Sequence, residues 1–99
     1  MNWSGDLASP AKTWQIEISR TAEKQILRLD RTVQKRILDF LRGRLHTAQN
    51  PRLSGRPLRG DKKGLWRYRV GDYRLICDIQ DERLTVLLLR VGHRKEAYR

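Results

Sequence analysis

The 99-residue chain is poor in cysteine, in long apolar runs and in acidic residues. Its single cysteine, Cys77, excludes an internal disulfide and favours a reducing compartment. No stretch approaches the roughly 20 apolar residues that a transmembrane helix needs. The first residues show no basic segment followed by an apolar run, so we expect no secretory signal and a cytoplasmic protein.

The acidic residues are also scattered, which disfavours metal-dependent chemistry. Those between the middle of the chain and its tail fall on predicted turns or singly on predicted strands: Asp61, Asp72, Asp78, Asp81 and Glu82. This spacing forms no recognisable set of metal ligands, so we expect neither a metal nor another cofactor. Cys77 falls on a predicted apolar strand face, which is typical of a core thiol rather than of a nucleophile.

Positive charge is what the chain has in excess. Lys and Arg together number 22 against 11 for Asp and Glu, which gives a formal net charge of +11. Such a field attracts polyanions and speeds their encounter with the protein. Nucleic acid and an acidic protein both fit as partners. A membrane fits poorly, because neither predicted helix concentrates its apolar residues on a lysine-flanked face.

The hydrophobic pattern predicts a single α+β domain over residues 13–99, preceded by a flexible extension over residues 1–12. Alternating apolar and polar residues predict a strand over Trp14–Ile18. Apolar residues at helical spacing then predict a helical hairpin, with Thr21 as the first N-cap and Asp30 as a second cap or a break. Residues 49–64 are rich in Gly, Pro and basic residues, which predicts a loop.

Three strands follow the loop and form an antiparallel meander. They are predicted over Leu65–Val70, Tyr73–Ile79 and Leu84–Val91, with Gly71 and Asp72 as a two-residue hairpin turn. We expect the helices to cover the apolar face of this sheet, because no other element is available to bury it.

Arginines occupy the opposite face of the predicted meander. Arg67 and Arg69 share one strand face by their spacing, and Arg74 lies across the hairpin from them. Like charges that face each other across strands destabilise a sheet, so a fold that keeps them there has an anionic ligand. Arginine offers a planar fork of donors that matches phosphate.

The C-terminal tail adds His93, Arg94 and Tyr98. Metal-free RNA cleavage needs a base for the 2′-hydroxyl, cations around the phosphorane and an acid for the leaving oxygen. These residues, with the strand arginines, supply such groups, and DNA lacks the 2′-hydroxyl. On spacing alone, passive binding of RNA or phosphate is nevertheless favoured over catalysis.

Several segments together resemble the RelE branch of the RelE/ParE toxin superfamily. They are Leu58–Gly60, the run Leu65–Ile76, the run Leu89–Arg94, and Tyr98. The resemblance is specific in the meander and the tail and generic in the helices. It implies a microbial-ribonuclease-like fold with an N-terminal strand, a helical pair and an antiparallel sheet.

The same resemblance implies a toxin of a type II toxin–antitoxin system. Such a toxin cleaves messenger RNA, in the best-known members within the ribosomal A site, and leaves a 2′,3′-cyclic phosphate and a 5′-hydroxyl. Its implied partners are a RelB-like antitoxin, messenger RNA and the ribosome.

The family's functional residues carry over one by one. Arg59 matches a loop arginine that helps to bind RNA or the ribosome. Arg74 matches an arginine at the scissile phosphate, Arg94 a transition-state arginine, and Tyr98 a tyrosine that stacks on the substrate base. The basic residues around these positions are predicted to bind RNA or the ribosome: Arg56, Arg59, Lys62, Lys63 and Lys95.

Arg67 and Arg69 stand where well-studied members have lysines. Because arginine keeps its proton, neither residue can act as the general base. His93 is then the candidate base or acid, with Lys95 as a second candidate. We predict a catalytic set that consists of Arg67, Arg69, Arg74, His93, Arg94 and Tyr98.

Two alternatives stay open. A ParE-like protein would have the same fold but would act on DNA gyrase without a nuclease site. An inert RNA-binding module would bind RNA with a steep salt dependence but never cut it.

Overall fold

The structure, a computed structural model, describes residues 13–60 and 64–94. The predicted extension over residues 1–12 lies outside the described residues, as do the predicted site residues Lys62, Lys63, Lys95 and Tyr98.

A single mixed sheet organises the described residues. Its strands are β1 (Gln15–Ile18), β2 (Arg56–Pro57), β3 (Leu65–Val70), β4 (Tyr73–Gln80) and β5 (Thr85–His93). Their order across the sheet is β1-β5-β4-β3-β2, with β1 parallel to β5 and the other neighbours antiparallel. The predicted α+β fold is confirmed. Strand β2 is an addition within the predicted loop, since two residues leave no alternation to detect.

Two helices connect β1 to the rest of the sheet. Helix α1 spans Arg20–Leu27 and helix α2 spans Arg31–Asp39, after which a π-helical segment continues over Phe40–Leu45. The predicted cap at Asp30 is confirmed, because its Oδ1 accepts a hydrogen bond from the Val33 amide at 2.9 Å.

The prediction of Thr21 as the first N-cap is wrong. Thr21 lies inside α1, and Ser19 caps the helix instead, with its Oγ accepting a hydrogen bond from the Ala22 amide at 3.0 Å. The reason is that β1 ends at Ile18, so Ser19 is the residue that still has the extended backbone an N-cap requires.

The helices cover one side of the sheet, as predicted. Ile37, Leu41 and Leu45 of the second helical stretch are at most 1% exposed, and they belong to the same core cluster as Leu75 and Leu88 of the sheet. This one-sided burial fixes which strand residues turn inward and leaves the alternate positions for the other side.

Tyr68 anchors the loop that follows the helices. Its ring is 1% exposed, and its hydroxyl donates a hydrogen bond to the Pro51 carbonyl oxygen at 2.8 Å. Burial raises the pKa of the Tyr68 phenol, so the hydroxyl keeps the proton that it donates. Gly55 crosses the ring so closely that a Cβ there would lie 2.8 Å from Cε1 of Tyr68. Any larger residue at position 55 must push the ring or the loop aside.

We expect Gly55→Ala to lower the free energy of unfolding by about 1–3 kcal/mol, because the added methyl group overpacks a buried contact. Gly43→Ala is the matched control, since nothing lies within 4 Å of a Cβ at that helical position. Alanine there is expected to be neutral or to stabilise by up to about 1 kcal/mol. Urea unfolding followed by circular dichroism measures both variants, and equal midpoints would contradict the close packing of Gly55 on Tyr68.

Candidate functional site

The side of the sheet away from the helices carries a group of arginines that we call the arginine face. Strand pairing places Arg69 directly opposite Arg74, and Arg56 directly opposite Arg67. Ile76 pairs with Arg67 on one side and with Arg90 on the other, so Arg90 joins the same face. The arginine face thus consists of Arg56, Arg67, Arg69, Arg74 and Arg90.

The Arg69–Arg74 pair opposes like charges. Residues directly opposite in an antiparallel pair have Cβ atoms about 4.5–5.5 Å apart, where two positive charges repel each other. Within residues 13–60 and 64–94, neither arginine forms an ion pair. A bound anion would relieve this repulsion, and the planar donors of two guanidinium groups suit a phosphate.

A buried donor atom of Arg74 also favours the binding of a hydrogen-bond acceptor. Its Nη1 atom is buried and has no hydrogen-bond partner among the described residues. A buried donor without a partner costs about 1–3 kcal/mol, which a phosphate oxygen on the arginine face would recover. Ile76, between Arg67 and Arg90 in register, is only 3% exposed, so one buried apolar side chain lies among these arginines.

Arg94 lies at the hairpin end of this face. Its amide donates a hydrogen bond to the Asp72 carbonyl oxygen at 2.7 Å, which ties the end of β5 to the β3–β4 turn. Gly71 begins that turn with φ of 59°, a left-handed conformation that glycine adopts without strain. The structure therefore brings Arg67, Arg69, Arg74 and Arg94 of the predicted set to one region.

His93 lies on the other side of the sheet. It pairs with Tyr73, a residue of the helix-covered side, and the two rings meet edge to face with centroids 5.7 Å apart. The structure does not bring His93 together with the arginines. This placement argues against His93 as the base for a phosphate bound on the arginine face.

A β-bulge explains where both Arg90 and His93 lie. Ile76 pairs with Arg90 while the next residue, Cys77, pairs with Leu88, so Leu89 is an extra residue in β5. Strict alternation from the buried Leu88 would turn Arg90 towards the helices, and the bulge reverses this. Arg90 was not predicted as a site residue, and the unbroken apolar run before it gives no signal of the bulge.

The basic loop contributes Arg56 and Arg59, both exposed, at one edge of the sheet. Arg52 is instead used for structure. Its guanidinium makes two hydrogen bonds to the Asp81 carboxylate, at 3.0 and 2.6 Å, and lies 5.8 Å from the centre of the Trp66 ring. This ion pair, with the Tyr68 anchor, fixes the loop that presents Arg56.

Within the part of the chain that the structure describes, no group of three or more His, Cys, Asp or Glu side chains is placed to hold a metal ion. None of the helices among the described residues is long and apolar enough to cross a membrane.

Comparison with known proteins connects this site to a family. Residues 16–98 match the family described as ParE toxin of type II toxin–antitoxin system, parDE. The chain is also similar to the Toxin RelG of Mycobacterium tuberculosis, with 34% identity over 86 residues that cover 87% of this chain and 97% of the relative.

The chain is also similar to toxin chains in solved toxin–antitoxin complexes. The toxin–antitoxin complex RelBE2 from Mycobacterium tuberculosis contains a chain that matches with a TM-score of 0.77 and 32% identity, over 85% of this chain and 94% of that one. The archaeal RelE–RelB complex from Pyrococcus horikoshii OT3 matches with a TM-score of 0.67 and 27% identity, over 86% of this chain and 99% of that one.

The Cys77 thiol is fully buried in the core, and burial raises its pKa well above the ordinary value. We expect no reaction with Ellman's reagent at pH 8 in the native protein and complete reaction after unfolding in guanidinium. Prompt native reaction would contradict the core position and would restore Cys77 as a candidate nucleophile.

Proposed function

We propose that this protein, which belongs to the RelE/ParE superfamily and is a toxin of a type II toxin–antitoxin system, is a metal-independent endoribonuclease. Its proposed substrate is messenger RNA, cut in the ribosomal A site. The 2′-hydroxyl attacks the adjacent phosphate and leaves a 2′,3′-cyclic phosphate and a 5′-hydroxyl.

The observation that carries the proposal is the opposition of Arg69 and Arg74, together with the buried Arg74 Nη1, which has no hydrogen-bond partner within residues 13–60 and 64–94. In the proposed mechanism, Arg67, Arg69 and Arg74 bind the scissile phosphate. Their charges are fixed before the reaction, so they stabilise the phosphorane oxygens without a reorganisation cost. Arg94, held at the hairpin by its amide, adds charge as the leaving oxygen separates.

Proton transfer needs another group, because arginine keeps its proton. Because His93 faces the helices, Lys95 is proposed for this step: its neutral amine takes the proton of the 2′-hydroxyl, and the resulting ammonium group protonates the leaving 5′-oxygen. Tyr98 is proposed to stack on the substrate base.

The remaining basic residues are proposed to follow the RNA backbone or the ribosome. They are Arg56, Arg59, Lys62 and Lys63, of which Arg56 pairs with Arg67 and continues the arginine face towards the sheet edge. Phosphate contacts of this kind give affinity and position without sequence preference.

A RelB-like antitoxin is the proposed protein partner. The similar Mycobacterium tuberculosis RelBE2 structure is a toxin–antitoxin complex, and the similar Pyrococcus horikoshii structure is a RelE–RelB complex. A net charge of +11 favours an acidic partner that masks the arginine face and so blocks access of RNA. We propose the cytoplasm, where messenger RNA and ribosomes are available, as the site of action.

Gyrase inhibition is the second candidate function. It is favoured by the match to the ParE toxin family over residues 16–98. Gyrase inhibition does not require a phosphate-binding arginine pair. A variant without that pair would therefore lose RNA cleavage but keep gyrase inhibition.

We expect Arg74→Ala to lower the rate of messenger RNA cleavage on ribosomes by about 100-fold or more, because it removes a preorganised transition-state charge. Arg31→Ala is the matched control: it removes the same charge from an exposed position on α2, away from the arginine face. Single-turnover cleavage of end-labelled RNA measures both rates. Equal rates for the two variants would remove Arg74 from the site.

A further inference from the structure

Arg90 of the arginine face and the neighbouring Arg94 depend on the bulge at Leu89, and two side chains from outside the sheet hold that bulge. We propose that Gln25 and Ser19 are positioning residues of the ribonuclease site, acting through β5 on Arg90 and Arg94. This inference rests on the proposed function for its effect on catalysis.

The edge of β5 changes partner at the bulge. Strand β1 pairs with β5 from Thr85 to Leu88 and then ends. Ser19 takes over: its amide donates to the Leu88 carbonyl oxygen at 2.9 Å, and its hydroxyl donates to the Leu89 carbonyl oxygen at 3.0 Å. In a regular strand consecutive carbonyl groups point to opposite edges. Here one residue binds two consecutive carbonyl groups, which is possible only because the strand is bulged.

Gln25 of α1 binds the next polar group of the same edge. Its Oε1 accepts a hydrogen bond from the Val91 amide at 2.6 Å. Val91 is 4% exposed, so water has little access to this amide. A buried amide that loses its acceptor is costly, and the strand end would shift or loosen to regain one.

The direction of the arginines follows from these contacts. With the bulge, Ile76 pairs with Arg90 and the amide of Arg94 reaches the Asp72 carbonyl oxygen. A β5 without the bulge would pair Ile76 with Leu89 and turn Arg90 towards the helices. The backbone at Arg94 would shift by one residue relative to the hairpin, away from Arg74.

Gln25 tests the proposal more cleanly than Ser19, which also caps α1. Gln25→Met keeps the length of the side chain and removes the strong acceptor. Gln25→Glu keeps an acceptor for the Val91 amide. Gln34→Met is the matched control, because the Gln34 side chain also bonds a backbone group, the Leu29 carbonyl oxygen at 2.8 Å, but lies on α2.

The experiment measures steady-state cleavage of messenger RNA at varied concentrations of programmed ribosomes, together with the Ile76–Arg90 backbone contact by NMR. We expect Gln25→Met to fold, to lose that contact, and to lower kcat about 10- to 100-fold with a small change in KM, as misplaced catalytic groups do. Gln25→Glu and Gln34→Met should behave like the wild type. Full activity of Gln25→Met would overturn the proposal.

Two further readouts separate the possible failures. If Gln25→Met does not fold, Ser19→Asp replaces it, because aspartate still caps α1 but cannot donate to the Leu89 carbonyl oxygen. Wild-type rates in that variant would also overturn the proposal. If the wild-type protein itself cuts no RNA, the proposed function fails. The NMR measurement then still tests the role of Gln25, because an unchanged Ile76–Arg90 contact in Gln25→Met would contradict the positioning role.

Discussion

Burial of one side of the sheet is the constraint on which the rest of the structure depends. The helix pair supplies the only large apolar surface among the described residues, so β3 and β4 must turn Tyr68, Leu75 and Cys77 towards it. Period-two alternation then leaves Arg69 and Arg74 on the other side, directly opposed. The repulsion between these two arginines is a consequence of the core, and it leaves a surface whose charge a bound anion would relieve.

The bulge at Leu89 is the one place where that alternation is reversed, and it lies at the site. It adds Arg90 to the arginine face, directs His93 to the helices, and brings the Arg94 backbone to the hairpin. The bulge leaves an irregular strand edge, whose polar groups are satisfied by Ser19 and by Gln25 of α1. Helix α1, the bulge and the arginines therefore form one connected unit, in which backbone hydrogen bonds set the positions of Arg90 and Arg94 relative to the hairpin.

Sequence patterns were sufficient for the elements that alternate strongly or carry a distinctive turn. Strands β3 and β4, their Gly71 hairpin and the Arg69–Arg74 opposition follow from period-two spacing and a glycine turn. The patterns failed where a tertiary contact decides between equal local choices. Ser19 and Thr21 are both competent caps, and only the end of β1 selects Ser19. The bulge falls in a run that is apolar on both faces, which has no alternation to interrupt, so the direction of His93 could not be read.

The central claim is that the arginine face cuts messenger RNA. Its most direct test is primer extension on cellular messenger RNA after brief induction of the wild-type protein and of Arg94→Ala. A ribonuclease gives new 5′ ends within translated regions for the wild type and none for the variant. Growth arrest by the wild type without new RNA ends, accompanied by loss of DNA supercoiling activity, would contradict the claim and establish a gyrase inhibitor on the same fold.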